Sequence, residues 1–180
     1  AFAAIGAAGA DNLQLQAYKG LEQIEHVHTA GNSPAMCDGA ATLLLGSAEL
    51  GAALDIAPRA RLVAAKTACA EPLEVLSGCI TATQALLSEQ GLTQSDVDLF
   101  ELHEAFAATI IKVEQTLGIP SDKLNVNGGV IALGHPMGAT GAIMTGTLLD
   151  ELERSSLSLG LIAASGAGGS GSALLLERSR

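Results

Sequence analysis

Two histidines stand where a chain most readily builds chemistry. His103 follows the apolar run Val97 to Leu102, in Glu101-Leu102-His103-Glu104-Ala105-Phe106. His135 closes the stretch Asn125-Val126-Asn127-Gly128-Gly129-Val130-Ile131-Ala132-Leu133-Gly134-His135-Pro136, which continues through Gly138, Ala139, Thr140 and Gly141. A third loop, Ser165-Gly166-Ala167-Gly168-Gly169-Ser170-Gly171, follows the apolar run Leu159 to Ala164. An imidazole can take a proton from a thiol or hydroxyl and can present an N–H to a developing oxyanion. Glycines beside it let backbone approach a ligand closely. Taken singly, each loop also has a structural explanation: a histidine capping a helix start, a Gly-Gly pair permitting a tight turn, a Gly-rich hairpin.

The elements that must position these loops alternate. Ala40 to Leu45 reads as a strand and Ala48 to Leu54 as a helix, with Pro58 closing the pair. Arg61 to Ala65 reads as a second strand and Ile80 to Ser88 as a helix ending at Gly91. Val97 to Leu102 then leads into a helix over Ala105 to Leu117, stopped by Gly118 and Pro120. In Ala139 to Leu152 the small and apolar residues fall on one helical face. Leu159 to Ala164 and Ser172 to Leu176 close the sheet as adjacent strands, and a short helix is expected near Leu13 to Tyr18. The expected class is α/β, with a mixed, mostly parallel sheet covered by helices.

Composition narrows the function. The net charge is −10 and no basic run occurs, which disfavours nucleic acid and anionic membranes as partners. Cys37, Cys69 and Cys79 form neither a Cys-x-x-Cys pair nor a disulfide framework, so buried thiols in a reducing, cytoplasmic setting are expected. Ala1 to Ala10 is apolar but lacks the basic flank of a signal peptide.

Read together and in order, the loops resemble the thiolase family. Asn32, six positions before Asp38-Gly39-Ala40-Ala41, is similar to the family's Asn-x-x-x-x-x-Asp-Gly-Ala-Ala segment. His103-Glu104-Ala105-Phe106 resembles its Asn-Glu-Ala-Phe loop in the histidine-containing form. Asn127-Gly128-Gly129 through Gly134-His135-Pro136 resembles its most distinctive stretch, and Ser165 to Gly171 its Cys-x-Gly-Gly-Gly-x-Gly loop. The resemblance covers about residues 20 to 178 and implies the thiolase fold: residues 1–31 the end of a loop region, 32–57 the last β-α unit of the N-terminal domain, and 58–180 the C-terminal domain.

Thiolases cleave 3-ketoacyl-CoA with CoA, or condense two acyl-CoA molecules in reverse. By resemblance, His135 activates the nucleophilic cysteine, His103 holds an oxygen in an oxyanion site, and the backbone N–H of Ala167 stands in a second one. Asn127, Gly128, Gly129, Ser33, Phe106 and Gly168 are implied to contact substrate. No metal or resident cofactor is implied, since coenzyme A enters as substrate and product. Two residues depart from the family. Ser165 takes the place of the cysteine that shuttles the substrate proton, and an alcohol is a far weaker acid than a thiol of pKa about 8.5. Pro34 stands where many members carry a serine near the CoA tail. None of the three cysteines matches the family's nucleophile motif, so the expected partners are acyl-CoA, CoA and an N-terminal thiolase half in the same or another chain, in a homo- or hetero-oligomer. The start at Ala1 suggests a fragment, one subunit of a split enzyme, or a renumbered piece.

Three other readings compete. A serine hydrolase would use Ser165, His135 and Glu104, although an elbow serine should precede its histidine and lead into a helix. Dinucleotide binding at Gly166 to Gly171 lacks a following helix. A non-catalytic, thiolase-like acyl-CoA-binding or partner subunit would account for Ser165 as lost chemistry.

Overall fold

The computed structural model describes residues 2–179. They run α1 (Phe2–Ile5), α2 (Asn12–Ala17), α3 (Ala48–Ala53), β1 (Ala60–Cys69), α4 (Gly78–Gln90), β2 (Leu99–Leu102), α5 (Ala107–Leu117), α6 (Val130–Leu133), α7 (Thr140–Arg154), β3 (Leu159–Ser165) and β4 (Ser170–Arg178). Gly91, in the left-handed region at φ 66°, ends α4 as its sequence suggests. α5 begins two residues later than expected because Phe106 is extended, leaving His103 to Phe106 as a turn.

The strands form a mixed sheet in the order β1-β4-β3-β2. β2 and β3 are parallel, with Leu102 opposite Ala163, while β3–β4 and β1–β4 are antiparallel. The mixed α/β sheet agrees with the expectation, but its parallel share does not. β3 returns as β4 through the tight turn at Gly166 to Gly169, too short for the crossover that parallel neighbours require.

Strand alternation sends Phe100, Leu102, Leu161 and Ala163 toward α4, where they pack with Cys79, Leu86 and Leu175. Leu99 and Ile162 face the other way and pack under Met144, Leu148 and Leu152 of α7. Leu148 and Leu152 are fully buried, each stabilising the α7 layer by roughly 2 kcal/mol. α4 meets the sheet backbone to backbone: a Cβ added at Gly171 would lie 2.0 Å from the carbonyl carbon of Gly78. Only paired glycines allow that approach, and it brings the start of α4 against the end of β3.

Ala40 to Leu45 is not a strand. Leu44 and Leu45 are 77% and 75% exposed, since no described strand offers this run a hydrogen-bonding edge. α3 does form, with Ser47 Oγ accepting from the Leu50 N–H at 3.2 Å. The expectation of buried thiols holds for Cys79 alone. Cys37 lies on irregular chain and Cys69 at the tip of edge strand β1, and both are exposed. Among the described residues no helix is long and apolar enough to cross a membrane.

Candidate active site

The register of β2 on β3 fixes His103. One residue past the last strand pair, its backbone N–H donates to the Ala163 carbonyl at 2.9 Å. On the opposite edge Asn125 closes the strand: its Oδ1 accepts from the Leu102 N–H at 2.8 Å, and its Nδ2 donates to the Leu102 carbonyl at 2.9 Å. The imidazole that follows is only 7% exposed, and both its ring nitrogens are buried without a hydrogen-bond partner among the described residues. Burial first, and His135 second, lower its pKa to about 4, so the ring is neutral near pH 7.

His135 arrives from a different part of the chain. Its N–H donates to the Ala35 carbonyl at 2.8 Å, beside a backbone bridge to Met36, and Nδ1 lies 2.7 Å from Thr140 Oγ1. Thr140 is the first residue of α7 and is buried, so the helix start orients the ring. The His103 and His135 ring centroids are 4.5 Å apart at 43°. The two histidines expected to share chemistry are thus brought together, while Thr140 escaped sequence reasoning as their support.

Glu104 ties the two loops. Its Oε2 accepts from the Ile131 N–H at 3.0 Å, and Oε1 accepts from Asn125 Nδ2 at 3.4 Å. A Cβ on Gly129 would fall 2.4 Å from the Glu104 carboxyl carbon. Gly129 therefore makes room for Glu104, a contact that the resemblance did not imply. Glu101, buried on the α7 side of β2, has its pKa raised to about 8 by burial and then by the Glu104 charge.

Ser165 sits at the end of β3, but its hydroxyl is engaged. It accepts from the Cys79 N–H at 2.9 Å and donates to the Leu76 carbonyl at 2.8 Å, anchoring the start of α4. Cys79 itself is buried, and desolvation pushes its thiol up. Ala167 and Gly168 lie exposed on the following turn, where the Ala167 carbonyl accepts from Ser170 Oγ at 3.2 Å. Asn127 is turned to α7, its Nδ2 donating to Glu151 Oε2 at 3.0 Å. Gly128, at φ 77°, borders open space. Ser33 Oγ donates to Asn32 Oδ1 at 3.4 Å, and the Phe106 ring packs on His28 at 4.4 Å and Phe2 at 5.8 Å. The hydrolase triad is not assembled among the described residues: Ser165 bonds to Cys79 and Leu76, Glu104 to Ile131 and Asn125, and His135 Nδ1 to Thr140.

Comparison with known proteins agrees with this fold. The family model for the thiolase C-terminal domain matches residues 56–178. An acetyl-CoA acetyltransferase of Synechocystis sp. is 45% identical over 152 residues, covering 84% of this chain and 38% of that protein. A 3-oxoadipyl-CoA/3-oxo-5,6-dehydrosuberyl-CoA thiolase of Escherichia coli is 41% identical over 167 residues, covering 92% and 42%. Among solved structures, the Bacillus anthracis acetyl-CoA acetyltransferase aligns with a TM-score of 0.79 at 38% identity over 84% of this chain and 38% of that one. Human mitochondrial 3-ketoacyl-CoA thiolase aligns with a TM-score of 0.80 at 32% identity over 89% and 41%. The chain spans about two fifths of the length of these relatives. With its fold, its paired histidine loops and more than half its length matching, the chain belongs to the thiolase family and carries the thiolase C-terminal domain.

Proposed function

We propose that this chain is the histidine-bearing part of an acyl-CoA acyltransferase that cleaves 3-ketoacyl-CoA with CoA, or runs the Claisen condensation in reverse. One observation carries the reading: the His103 and His135 ring centroids lie 4.5 Å apart, and the buried His103 nitrogens have no partner among the described residues. Both directions pass through a thioester enolate. They require a base for a C–H proton, donors for the enolate oxygen, and a nucleophile to hold the acyl group. A neutral His103 suits the donor role, because its N–H adds no charge until the oxygen develops one. His135, held at Nδ1 by Thr140, keeps Nε2 for the thiol of the nucleophile. The Ala167 N–H supplies a second oxyanion donor, and coenzyme A is substrate and product rather than a resident cofactor.

The nucleophile belongs to an N-terminal thiolase half, in the same or another chain. The exposed run Ala40 to Leu45 is the strand we assign to that half's sheet, and Met36 at 80% exposure lies beside it. Free thiols at Cys37, Cys69 and Cys79 fit a reducing, cytoplasmic setting. The test is thiolysis of acetoacetyl-CoA. The 180-residue chain alone should give none, while its assembly with a nucleophile-bearing half should turn over and lose that activity in His135→Ala. Turnover by the lone chain, or an assembly indifferent to His135→Ala, refutes the reading.

The serine favours one second reading. Ser165 is a poor base by chemistry, and its hydroxyl is committed to Leu76 and Cys79. A non-catalytic acyl-CoA-binding or partner subunit would have no need of a thiol there. Ser165→Cys in the complete assembly separates the two: a large gain in thiolysis marks an impaired enzyme, and no gain marks the binding module.

A further inference from the structure

Val75, in the connection from β1 to α4, holds a backbone conformation that valine rarely adopts. At φ 63° and ψ −54° it is the centre of a γ-turn, closed by the Leu76 N–H donating to the Glu74 carbonyl at 2.7 Å. The γ-turn with positive φ is the strained one, and a β-branched side chain raises its cost. Such a residue persists only where its surroundings over-determine it. Side-chain burial does not supply the reason, since Val75 is 37% exposed. The backbone bonds on either side of it do. The Val75 carbonyl accepts from the Gly169 N–H at 2.9 Å, and the Leu76 carbonyl accepts from Ser165 Oγ at 2.8 Å. Two consecutive carbonyls thus reach the two ends of the 165–169 turn. Gly169 is also held through its own carbonyl, which accepts from the Ala70 N–H at 2.8 Å, and a Cβ on it would fall 2.6 Å from the Ala70 carbonyl oxygen. The γ-turn is itself fastened, because the Glu74 carboxylate accepts from Ser77 Oγ at 2.6 Å and from Lys112 Nζ of α5.

We infer that Val75 is a positioning residue: its γ-turn grips the 165–169 turn at both ends and so fixes the direction of the Ala167 N–H. Between the gripped ends lie only Gly166, Ala167 and Gly168, and the two glycines leave this stretch little stiffness of its own. Among the described residues, the Ala167 N–H makes no hydrogen bond outside its own turn. Its direction therefore follows from where residues 165 and 169 are pinned. Within the hairpin, the Gly166 N–H donates to the Ser170 carbonyl at 2.8 Å and Ser170 Oγ to the Ala167 carbonyl at 3.2 Å. Those bonds shape the turn but give it no support from outside β3 and β4. That support comes from residues 69–79, where Cys69 Sγ, 3.7 Å from the Gly168 carbonyl oxygen, and the Cys79 N–H add to the two carbonyls. An unstrained Val75 would turn its carbonyl away from Gly169 or carry that of Leu76 away from Ser165. The strain is the local cost of aiming both at one turn. That the Ala167 N–H serves an oxyanion rests on the acyltransferase reading; the grip itself does not.

The experiment is thermal melting and ¹⁵N NMR of the 180-residue chain and of Val75→Gly, Val75→Ala and Val75→Pro. Glycine adopts positive φ without strain and alanine does not, so Val75→Gly should melt roughly 2–4 °C above Val75→Ala, the reverse of their usual order. Proline locks φ at about −65° and abolishes the γ-turn. In Val75→Pro the Gly169 amide should exchange with solvent about tenfold faster or more, with the β3–β4 amides unchanged. The order parameter of the Ala167 N–H should fall from roughly 0.85 in the parent to below about 0.6. Val75→Gly should keep both readouts at parental values. An alanine variant as stable as the glycine variant, or an Ala167 N–H as ordered in Val75→Pro as in the parent, overturns the inference. Should the proline variant not fold, the other measurements decide: the reversed melting order with a rigid parental Ala167 N–H supports the grip, and the usual order or a mobile N–H overturns it. In the complete assembly Val75→Pro should lower kcat more than about tenfold with KM nearly unchanged, and a parental kcat refutes the positioning role. A parent assembly without thiolysis would sink the acyltransferase reading alone, since melting and NMR need no turnover.

Discussion

Replacing Ser165 by alanine separates the two roles its hydroxyl could hold. The substitution strips an acceptor from the Cys79 N–H and a donor from the Leu76 carbonyl, both at the start of α4. A backbone group left unsatisfied by such a loss costs about 1–3 kcal/mol when buried. Ser165 is only half-buried, so water recovers part of each bond, and the lower end of that range applies twice, giving about 2 kcal/mol in all. For a chain of this length each kcal/mol lowers Tm by roughly 2–4 °C, which places the expected fall at about 4–8 °C. Urea unfolding followed by circular dichroism should show a lower midpoint with an unchanged slope, since the exposed surface is the same. Ser165→Cys keeps a weak S–H donor and a weak acceptor and should lose about half as much, on the order of 1 kcal/mol. If Ser165→Ala stays within about 0.5 kcal/mol of the parent, the spread expected of an inconsequential surface change, the hydroxyl does not anchor α4.

Four further outcomes follow from the same contacts. Gly129→Ala drives a methyl into the Glu104 carboxylate and should destabilise the chain by about 2 kcal/mol; Glu104→Ala in the same background should recover much of the loss in denaturant melts. Glu101 holds its proton to about 8 when folded but releases it near 4.5 when unfolded, so the native state binds more protons in that window and stability falls as pH rises through it. His103 acts oppositely between about 4 and 6.5, which leaves pH 6.5 to 8 to report Glu101; there Glu101→Gln should flatten the decline, and an unchanged slope contradicts the assignment. Thr140→Val removes the hydroxyl at His135 Nδ1 and should lower kcat in the complete assembly more than tenfold with little change in KM, whereas an effect on KM alone would argue against an orienting role. Finally, alkylating the native chain should label Cys37 and Cys69 quickly and Cys79 only on unfolding, and equal labelling of all three by mass spectrometry would contradict the packing of α4 on the sheet.

Much of this was legible in the sequence where local chemistry decides. The Gly91 stop of α4, the one-sided pattern of α7 and the apolar runs that became β3 and β4 depend on neighbours a few residues away. The order and spacing of the His103 and His135 loops carried the family, although only the first follows a strand end, β2, and His135 follows the short helix α6. Ala40 to Leu45 is irregular in this chain because apolar continuity records what a run can bury, not whether a partner edge is at hand. The antiparallel weighting depends on a turn whose brevity shows only once the ends of β3 and β4 are known. Gly129 read as a ligand cradle, and only the fold reveals Glu104 in that space, from 25 positions upstream. Thr140 and the Leu76–Cys79 turn gave no signal at all, since a hydroxyl or a backbone carbonyl acquires meaning from what it faces.

Asn125 has a bearing that reaches past the histidine it helps to aim. β2 is the outermost strand on its side, and its free edge is met first by backbone, at Phe100 with Lys123 and Asn125, and then by the Asn125 amide at Leu102. One side chain thus impersonates the peptide group of a neighbouring strand and uses up the last donor and acceptor on that margin. An unsealed margin of buried, apolar β-strand is a template on which a second molecule could dock and polymerise. Sealing it with an amide rather than another strand ends the sheet one residue before His103, so the contact that closes this edge also frees the next residue to leave the sheet.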